Sequence, residues 1–207
     1  MPILEPPQIT NRPLFQATGD PNRDVMIGTT HPDWYRFAFG YKSGAEMLVA
    51  RLTGHGMALE SACRPILFLY RHSVELMLKA LLIDLGELTD SPEAISIKHA
   101  LTPLWTKLRE RILAYDPGQD SAWLDRAAFL ITELDRLDPG SFSFRYPVGK
   151  DGVPLIAFGE TISIEHFADV MKELWMVLDG AAAMLDQHVQ LKREMEEEYD
   201  YGYELYY

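Results

Sequence analysis

Residues 58–85, ALESACRPILFLYRHSVELMLKALLIDL, decide the fold of this 207-residue chain. The stretch contains no glycine and is apolar over most of the circumference of a helix, a pattern that favours a helix at the centre of a bundle over one at its surface. Pro65 either starts the regular helix or bends it, because proline removes a backbone donor. The segment therefore predicts a buried central helix around which the other elements pack.

Helical periodicity of apolar residues recurs on both sides of this segment and predicts four further helices. Residues that commonly start helices precede each of them: Asp33, the pair Thr102 and Pro103, Asp120 or Ser121, and Ser163. The first helix is expected to stop before Gly54, the fourth at Leu137 and the fifth at about Glu198. The predicted fold is therefore all-α, an up-and-down bundle of about five helices.

Two parts of the chain depart from this helical pattern. Five of the thirteen prolines lie in the first 21 residues, which predicts an extended arm over residues 1–30. Within residues 141–160, Phe142, Phe144 and Tyr146 alternate with other residues before the turn sequence VGKDGV, which predicts a short extended or hairpin insertion. The predicted organisation is an arm over 1–30, a single helical domain over 31–193 and a tail over 194–207.

The tail, EMEEEYDYGYELYY, contains six acids, five tyrosines and no basic residue, so half of the net charge of -12 lies in it. Two interpretations fit this composition. The tail is either a solvated acidic end that need not fold, or a segment that docks on a basic groove of its own domain or of a neighbour, with the tyrosines as anchors.

The overall composition excludes several classes of protein. A net charge of -12 argues against nucleic-acid binding by overall charge, so any such contact must be local. The single cysteine, Cys63, excludes an intramolecular disulfide and a thiolate zinc site, and it fits a reducing cytoplasm. The N-terminal residues lack the basic and apolar regions of a signal peptide, and no stretch of about 18 apolar residues occurs. We therefore expect a cytoplasmic protein that does not associate with membranes.

The charged residues of the central segment share one side of the predicted helix. On a helical wheel, Arg64, Arg71, His72, Glu75 and Lys79 fall within an arc of about 100°, while the remaining positions are apolar. Charges that approach a core are costly unless they are paired. Their restriction to one line implies a groove, an ion network or an interface at that side of the helix.

Two interpretations of this polar line stay open. In the first, Arg71 and Glu75 pair at i, i+4, Lys79 completes an ion network on the helix surface, and His72 bonds only a backbone carbonyl. In the second, the guanidiniums, the ammonium and the imidazole form a phosphate-binding and proton-transfer surface, and Glu75 orients Arg71 or His72.

Two other segments supply residues that can complete such a surface. Lys98 and His99 lie just before the expected start of the third helix, where backbone donors and the helix dipole favour an anion. Arg145 is flanked by aromatic residues, Tyr146 among them, that can hold it rigidly or stack on a base. If the second interpretation holds, the polar line should converge on one cleft with His99 or Arg145.

Three stretches carry a resemblance to a known family: FLYRHSVELMLKALL at 68–82, KHALTPLW at 98–105 and FRYPVGKDG at 144–152. Together they resemble bacterial members of the HEPN superfamily over roughly residues 60–180. The resemblance implies a bundle of four or five helices, dimerisation through the helix that carries the polar motif, and a role in toxin–antitoxin, phage-defence or RNA-processing systems. Many members are similar to metal-independent ribonucleases with an arginine and a histidine separated by four to six residues, whereas seven residues separate Arg64 from His72 here.

The resemblance and the residues together lead to two functional hypotheses. The first is an RNA-directed ribonuclease of a defence or toxin system, in which Arg71 and Arg64 hold the scissile phosphate and His72 or His99 transfers protons. The second is a non-catalytic module that recognises a small anionic ligand or a protein partner. The candidate catalytic residues are Arg71, His72 and His99, and the candidate binding residues are Arg64, Glu75, Lys79, Lys98, Arg145 and Tyr146. A homodimer is expected, because the apolar surface exceeds what a monomer of this size readily hides.

Other chemistries find little support in the sequence. His72 and Glu75 at i, i+3 supply two metal ligands, but no second pair and no Glu-x-x-His motif accompanies them. No P-loop or GxGxxG sequence occurs, and neither Cys63 nor Ser73 lies in a nucleophile motif. We therefore expect neither a metal nor a cofactor.

Overall fold

The computed structural model describes residues 14–28, 33–53, 58–92, 94, 97–156, 159 and 161–204. Of residues 53, 197 and 199–204 only the backbone is described. The chain divides into two units, residues 1–32 and residues 33–207. All helices of the described residues lie in the second unit.

Five helices make up the described part of the second unit: α1 (Trp34–Thr53), α2 (Leu59–Leu88), α3 (Leu101–Tyr115), α4 (Ser121–Leu137) and α5 (Ile164–Glu204). The prediction of an all-α fold with about five helices is confirmed. The last helix is longer than expected, because it continues to Glu204 and so crosses the expected boundary at residue 194. Pro65 lies inside α2 and does not start it.

Three of the predicted start signals cap their helices. The Asp33 carboxylate accepts a hydrogen bond from the Arg36 amide, and the Asp120 carboxylate accepts one from the Ala122 amide, each at 2.9 Å. The Ser163 hydroxyl accepts from the backbone amide three residues along, at 3.3 Å. Each of these caps is local in sequence, which is why the sequence alone could predict it.

The cap of α3 is different from the prediction. The helix begins at Leu101, so Thr102 and Pro103 lie inside its first turn and Thr102 is not the N-cap residue. Its first backbone amides donate instead to the carboxylate of Asp135 in α4, at 2.9 Å from Leu101 and 3.1 Å from Thr102. The prediction of a Thr102 cap was wrong because a side chain from another helix takes over the capping.

α3 begins beside the middle of α2 and runs along it towards the end of α2. At its far end, Arg111 in the last turns of α3 donates to the Ser91 carbonyl just beyond α2, at 2.8 Å. At its near end, the His99 carbonyl just before α3 accepts from Arg71 in the middle of α2. The two helices therefore point in the same direction, so the expected up-and-down order is wrong between α2 and α3. As a result, His99 lies at the polar line of α2.

α5 also runs in the same direction as α2. Near the beginning of α5, the Trp175 indole nitrogen lies 3.3 Å from the Ser73 hydroxyl oxygen. Farther along, the Lys192 ammonium donates to the Glu87 carbonyl at 2.9 Å, one residue before α2 ends. The part of α5 beyond residue 193 therefore extends past the end of α2.

The core of the bundle is centred on α2. Residues 73–82 of this helix are buried without interruption. The apolar stripes of the other helices pack around it and contribute, among others, Ala45, Leu108, Leu124, Ile131, Leu174 and Leu178. The predicted central position of this helix is confirmed.

The segment 141–156 forms turns and a single isolated bridge. Val148 and Pro154 form an antiparallel bridge, and the Gly149 amide donates to the Val153 carbonyl at 2.8 Å. No regular strand is present among the described residues of this insertion, so the expected hairpin is reduced to one bridge. The alternation at Phe142, Phe144 and Tyr146 belongs to a turn, and of these three rings only Phe144 is buried.

The first unit is described over residues 14–28, where no helix or strand forms. A turn at residues 20–24 is closed by the Asp24 carboxylate, which accepts hydrogen bonds from the Thr18 and Gly19 amides. The rest of the expected arm lies outside the described residues. None of the described helices is both long and apolar enough to cross a membrane.

Candidate functional site

Arg71 of α2 is completely buried, and its guanidinium joins three helices. One terminal nitrogen donates to Glu75 Oε2 at 2.9 Å and the other to the His99 carbonyl, before α3, at 2.5 Å. Nε donates to the Asp138 carbonyl, after α4, at 2.9 Å. All three nitrogens are thus engaged with protein groups. In this arrangement Arg71 positions other residues and does not meet a ligand at the surface.

Glu75, one turn along α2, accepts three hydrogen bonds although it is only 1% exposed. Besides Arg71, its donors are Lys79 Nζ at 2.8 Å and His99 Nδ1 at 3.0 Å, both on Oε1. Burial by itself raises the pKa of a carboxyl group, but these hydrogen bonds outweigh burial and hold the pKa of Glu75 below its ordinary value. Glu75 is therefore ionised at neutral pH.

Two aspartates from the end of α4 complete this buried arrangement. Asp138 is fully buried, and its Oδ2 lies 3.4 Å from Arg71 Nε while its Oδ1 accepts from the Ser143 amide at 2.7 Å. Asp135 Oδ1 lies 3.8 Å from a terminal nitrogen of Arg71. We call Arg71, Glu75, Lys79, Asp135 and Asp138 the buried ion cluster. Its three carboxylates outnumber its two cations by one.

The predicted i, i+4 pairs between Arg71, Glu75 and Lys79 are present, but they are buried and do not form a network at the helix surface. The start of α3 and the end of α4 cover this part of α2. Lys79 is 7% exposed, so it neutralises Glu75 inside the protein and is not presented to a ligand.

His72 lies at the edge of this cluster between two aromatic rings. The Tyr41 ring of α1 meets it edge-on with centroids 4.5 Å apart, and the Phe68 ring stacks on it at 5.5 Å and 8°. Its Nδ1 is 4.0 Å from Glu75 Oε2, and 23% of its side chain is exposed. Burial lowers the pKa of His72, and the nearby Glu75 carboxylate only partly opposes this effect. The ring is therefore neutral at neutral pH.

His99 reaches the same carboxylate from the segment before α3, with 47% of its side chain exposed. The ionised Glu75 only accepts hydrogen bonds, so Nδ1 of His99 must carry the proton it donates. Nε2 is then the nitrogen available to a ligand. Two imidazoles from different parts of the chain thus lie around one buried carboxylate. The backbone carbonyl bond expected of His72 in the first interpretation is not found among the described residues.

Arg64 and Arg145 are exposed, and each is fixed by a backbone carbonyl. Arg64 donates to the Ser143 carbonyl at 3.2 Å, and Arg145 Nε donates to the Ser141 carbonyl. Within the described part of the chain, neither guanidinium forms an ion pair with a carboxylate. Their remaining N–H groups are thus available to an anion.

Aromatic rings surround Arg145. Its guanidinium carbon lies 5.1 Å from the Phe142 ring centroid and 5.7 Å from each of the Phe68 and Tyr146 ring centroids. Phe142 and Tyr146 stack on each other at 6.2 Å and are each 52% exposed. We call the surface formed by these residues and the histidines the cationic–aromatic face: Arg64, Phe68, His72, His99, Phe142, Arg145 and Tyr146. Lys98 is exposed in the chain next to His99.

Sequence reasoning missed several residues of this site. Phe68 lies four residues before His72, so helical spacing alone would have indicated the contact. Nothing in the sequence indicated that Asp135 and Asp138 contact Arg71, because the end of α4 and the following Asp-Pro-Gly turn have the pattern of an ordinary helix C-terminus. Tyr41 comes from a different helix, and only the packing of α1 on α2 brings it to His72.

No group of three or more metal-ligating side chains is found among the described residues. No protein-family model, curated protein or solved structure matches the chain.

Proposed function

We propose that this protein binds RNA on the cationic–aromatic face and cleaves it without a metal ion, in a defence or toxin–antitoxin system of the kind that the resemblance to the HEPN superfamily implies. One observation carries the proposal. His72 and His99 lie around the Glu75 carboxylate, and the Phe68 ring that stacks on His72 also contacts the Arg145 guanidinium. Neither Arg145 nor Arg64 has an ion-pair partner among the described residues.

The face supplies both kinds of contact that RNA requires. Arg64 and Arg145 offer guanidinium donors to phosphate oxygens, which they can bind in a bidentate manner. The exposed rings of Phe142 and Tyr146 offer surfaces on which unpaired bases stack. These contacts are local, as they must be in a chain whose net charge is -12.

The two histidines divide the proton transfers between them. Neutral His72 takes the proton of the 2'-hydroxyl, and the 2'-oxygen then attacks phosphorus. For the second transfer His99 must enter the step protonated on both ring nitrogens; it donates the Nε2 proton to the 5'-oxygen as the bond from phosphorus to that oxygen breaks, and keeps the Nδ1 proton. The products are a 2',3'-cyclic phosphate and a 5'-hydroxyl. Glu75 keeps the His99 ring oriented throughout, because Nδ1–H donates to it in both protonation states.

Arg71 was expected to hold the scissile phosphate, but in this proposal it does not contact RNA. It is a positioning residue, since its contacts fix Glu75, the start of α3 and the end of α4 and do not reach the surface. The phosphate contacts fall to Arg64 and Arg145 instead.

The proposal is tested by incubating purified protein with a single-stranded RNA and with the DNA of the same sequence, in the presence of a chelator. We expect cleavage of the RNA only, leaving cyclic phosphate ends, and a loss of at least about 100-fold in His72→Ala and in His99→Ala. His166→Ala removes an exposed histidine at the start of α5 and should cleave at the wild-type rate. His72→Ala should also melt within a few degrees of the wild type. Equal cleavage by the His72, His99 and His166 variants would refute the proposal.

A second candidate function is a non-catalytic module that binds an anionic ligand. The complete engagement of Arg71 inside the protein favours it, because the buried ion cluster then has a purely structural role. RNA binding that depends on Arg64 and Arg145, without any cleavage, would establish this alternative.

A further inference from the structure

The cationic–aromatic face is matched in charge by a segment of the same chain that lies at the opposite end of the bundle. Residues 194–207 hold six acids and no basic residue. The backbone of this segment is helical up to Glu204, as the continuation of α5. Five tyrosines accompany the acids, and such rings stack on arginine and on other aromatic rings.

The last contacts between α5 and α2 mark where this acidic segment begins. Lys192 donates to the Glu87 carbonyl, and Arg193 Nε donates to Glu87 Oε1 at 2.7 Å. α2 ends one residue later, at Leu88. From Lys192 to Glu204 the helix advances about 18 Å at about 1.5 Å per residue. The acidic segment therefore extends beyond the end of α2.

The helical part of this segment, up to Glu204, is out of reach of the face on its own chain. α2 and α5 point in the same direction, as the contacts of Ser73 with Trp175 and of Glu87 with Lys192 show. His72 lies about 22 Å back from Glu87 along α2, again at about 1.5 Å per residue. While α5 is helical, its end and the face are thus separated by about 40 Å along the bundle.

We propose that the acidic end of α5 of one chain binds the cationic–aromatic face of a second copy. Charge complementarity is the basis. Arg64 and Arg145 of the face have no carboxylate partner among the described residues, and the acidic segment supplies carboxylates that its own chain does not bring to them. The contact joins two different surfaces, so it is heterologous. In a pair joined by one such contact, one copy retains a free face and the other retains a free acidic end.

The consequence for function rests on the proposed function. Since the acidic segment and the RNA phosphates occupy the same guanidiniums, association of two copies and RNA binding exclude each other at that face. The acidic end would then act as an inhibitor that RNA displaces.

Two full-length variants separate this contact from any other association. In the tail variant all six acids become amides: Glu194→Gln, Glu196→Gln, Glu197→Gln, Glu198→Gln, Asp200→Asn and Glu204→Gln. In the face variant Arg64→Gln and Arg145→Gln remove the guanidiniums. A control variant neutralises six exposed acids elsewhere and so matches the charge change: Glu110→Gln, Asp125→Asn, Glu133→Gln, Glu165→Gln, Glu173→Gln and Asp179→Asn.

The measurement is the molar mass by sedimentation in the absence of RNA, at low salt and at about 1 M salt, where the Debye length is about 3 Å. We expect the wild type and the control variant to have a higher molar mass at low salt than at high salt. The tail variant and the face variant should each associate at least about tenfold more weakly, which is about 1.4 kcal/mol. An equimolar mixture of the two should regain association as a one-to-one pair, because one supplies an intact face and the other an intact acidic end.

Thermal unfolding first establishes that each variant is folded. The proposal is overturned if the molar mass of the wild type does not fall between low and high salt. It is also overturned if the tail variant and the control variant have the same mass at low salt, or if the mixture of the folded tail and face variants does not form a pair. A dimer formed through another surface adds the same mass to every sample and does not change the comparison. The measurement contains no RNA, so its failure and the failure of the cleavage assay are separate results.

Discussion

Replacing Arg71 with alanine should destabilise the protein far more than replacing an arginine at its surface. The change removes hydrogen bonds to Glu75 and to the carbonyls of Asp138 and His99, at a site with 0% exposure. Asp138 then loses the cation 3.4 Å from its Oδ2, and Glu75 retains only its other two donors. Removing one partner of a buried ion pair costs about 3–5 kcal/mol, because the remaining charge is left uncompensated in the interior.

The cost is measured as the free energy of unfolding in urea, with circular dichroism as the signal, and as the melting temperature. For a domain of this size, about 3–5 kcal/mol lowers the melting temperature by about 6–20 °C. Arg109→Ala is the matched control, since Arg109 pairs with Asp125 at 2.9 Å on the surface, where such a pair contributes about 0–1 kcal/mol. If Arg71→Ala costs no more than Arg109→Ala, the buried ion cluster does not hold the three helices together.

Three further predictions concern Glu75, Asp135 and the association of two chains. Because the pKa of Glu75 in the folded protein lies below its ordinary value of 4.5, ionised Glu75 should stabilise the fold fully above pH 4.5, and this stabilisation should be lost as the pH falls through the folded pKa. Glu75→Gln should therefore make the unfolding free energy depend less on pH in the acid range. An unchanged pH dependence would contradict this. Asp135→Ala removes the cap on the Leu101 and Thr102 amides and should cost about 0.5–2 kcal/mol in urea unfolding, whereas a neutral result would show that water replaces the cap. The homodimer expected from the apolar surface should appear in light scattering at about 1 M salt, where charge contacts are screened, as twice the chain mass, and a monomer there would exclude it.

Several parts of the fold were determined by local sequence alone. The apolar circumference of residues 58–85 predicted the central helix, and Asp33, Asp120 and Ser163 cap helices through bonds to amides two or three residues away. The i, i+4 spacing of Arg71, Glu75 and Lys79 likewise predicted their pairing. These features depend on residues within one or two turns of each other, so their physical cause is contained in a short stretch of chain.

The candidate site depended on tertiary structure. The sequence named His72 and His99 as candidates, but it had no means of showing that α3 begins beside the middle of α2, where His99 reaches Glu75. The burial of Arg71 was equally hidden, because a stripe of charges on a helix has the same pattern whether solvent or other helices cover it. Here the start of α3 and the end of α4 cover it, and the carbonyls of His99 and Asp138 accept its hydrogen bonds. Sequence periodicity reports which face of a helix is polar, whereas the path of the connecting segments decides what that face meets.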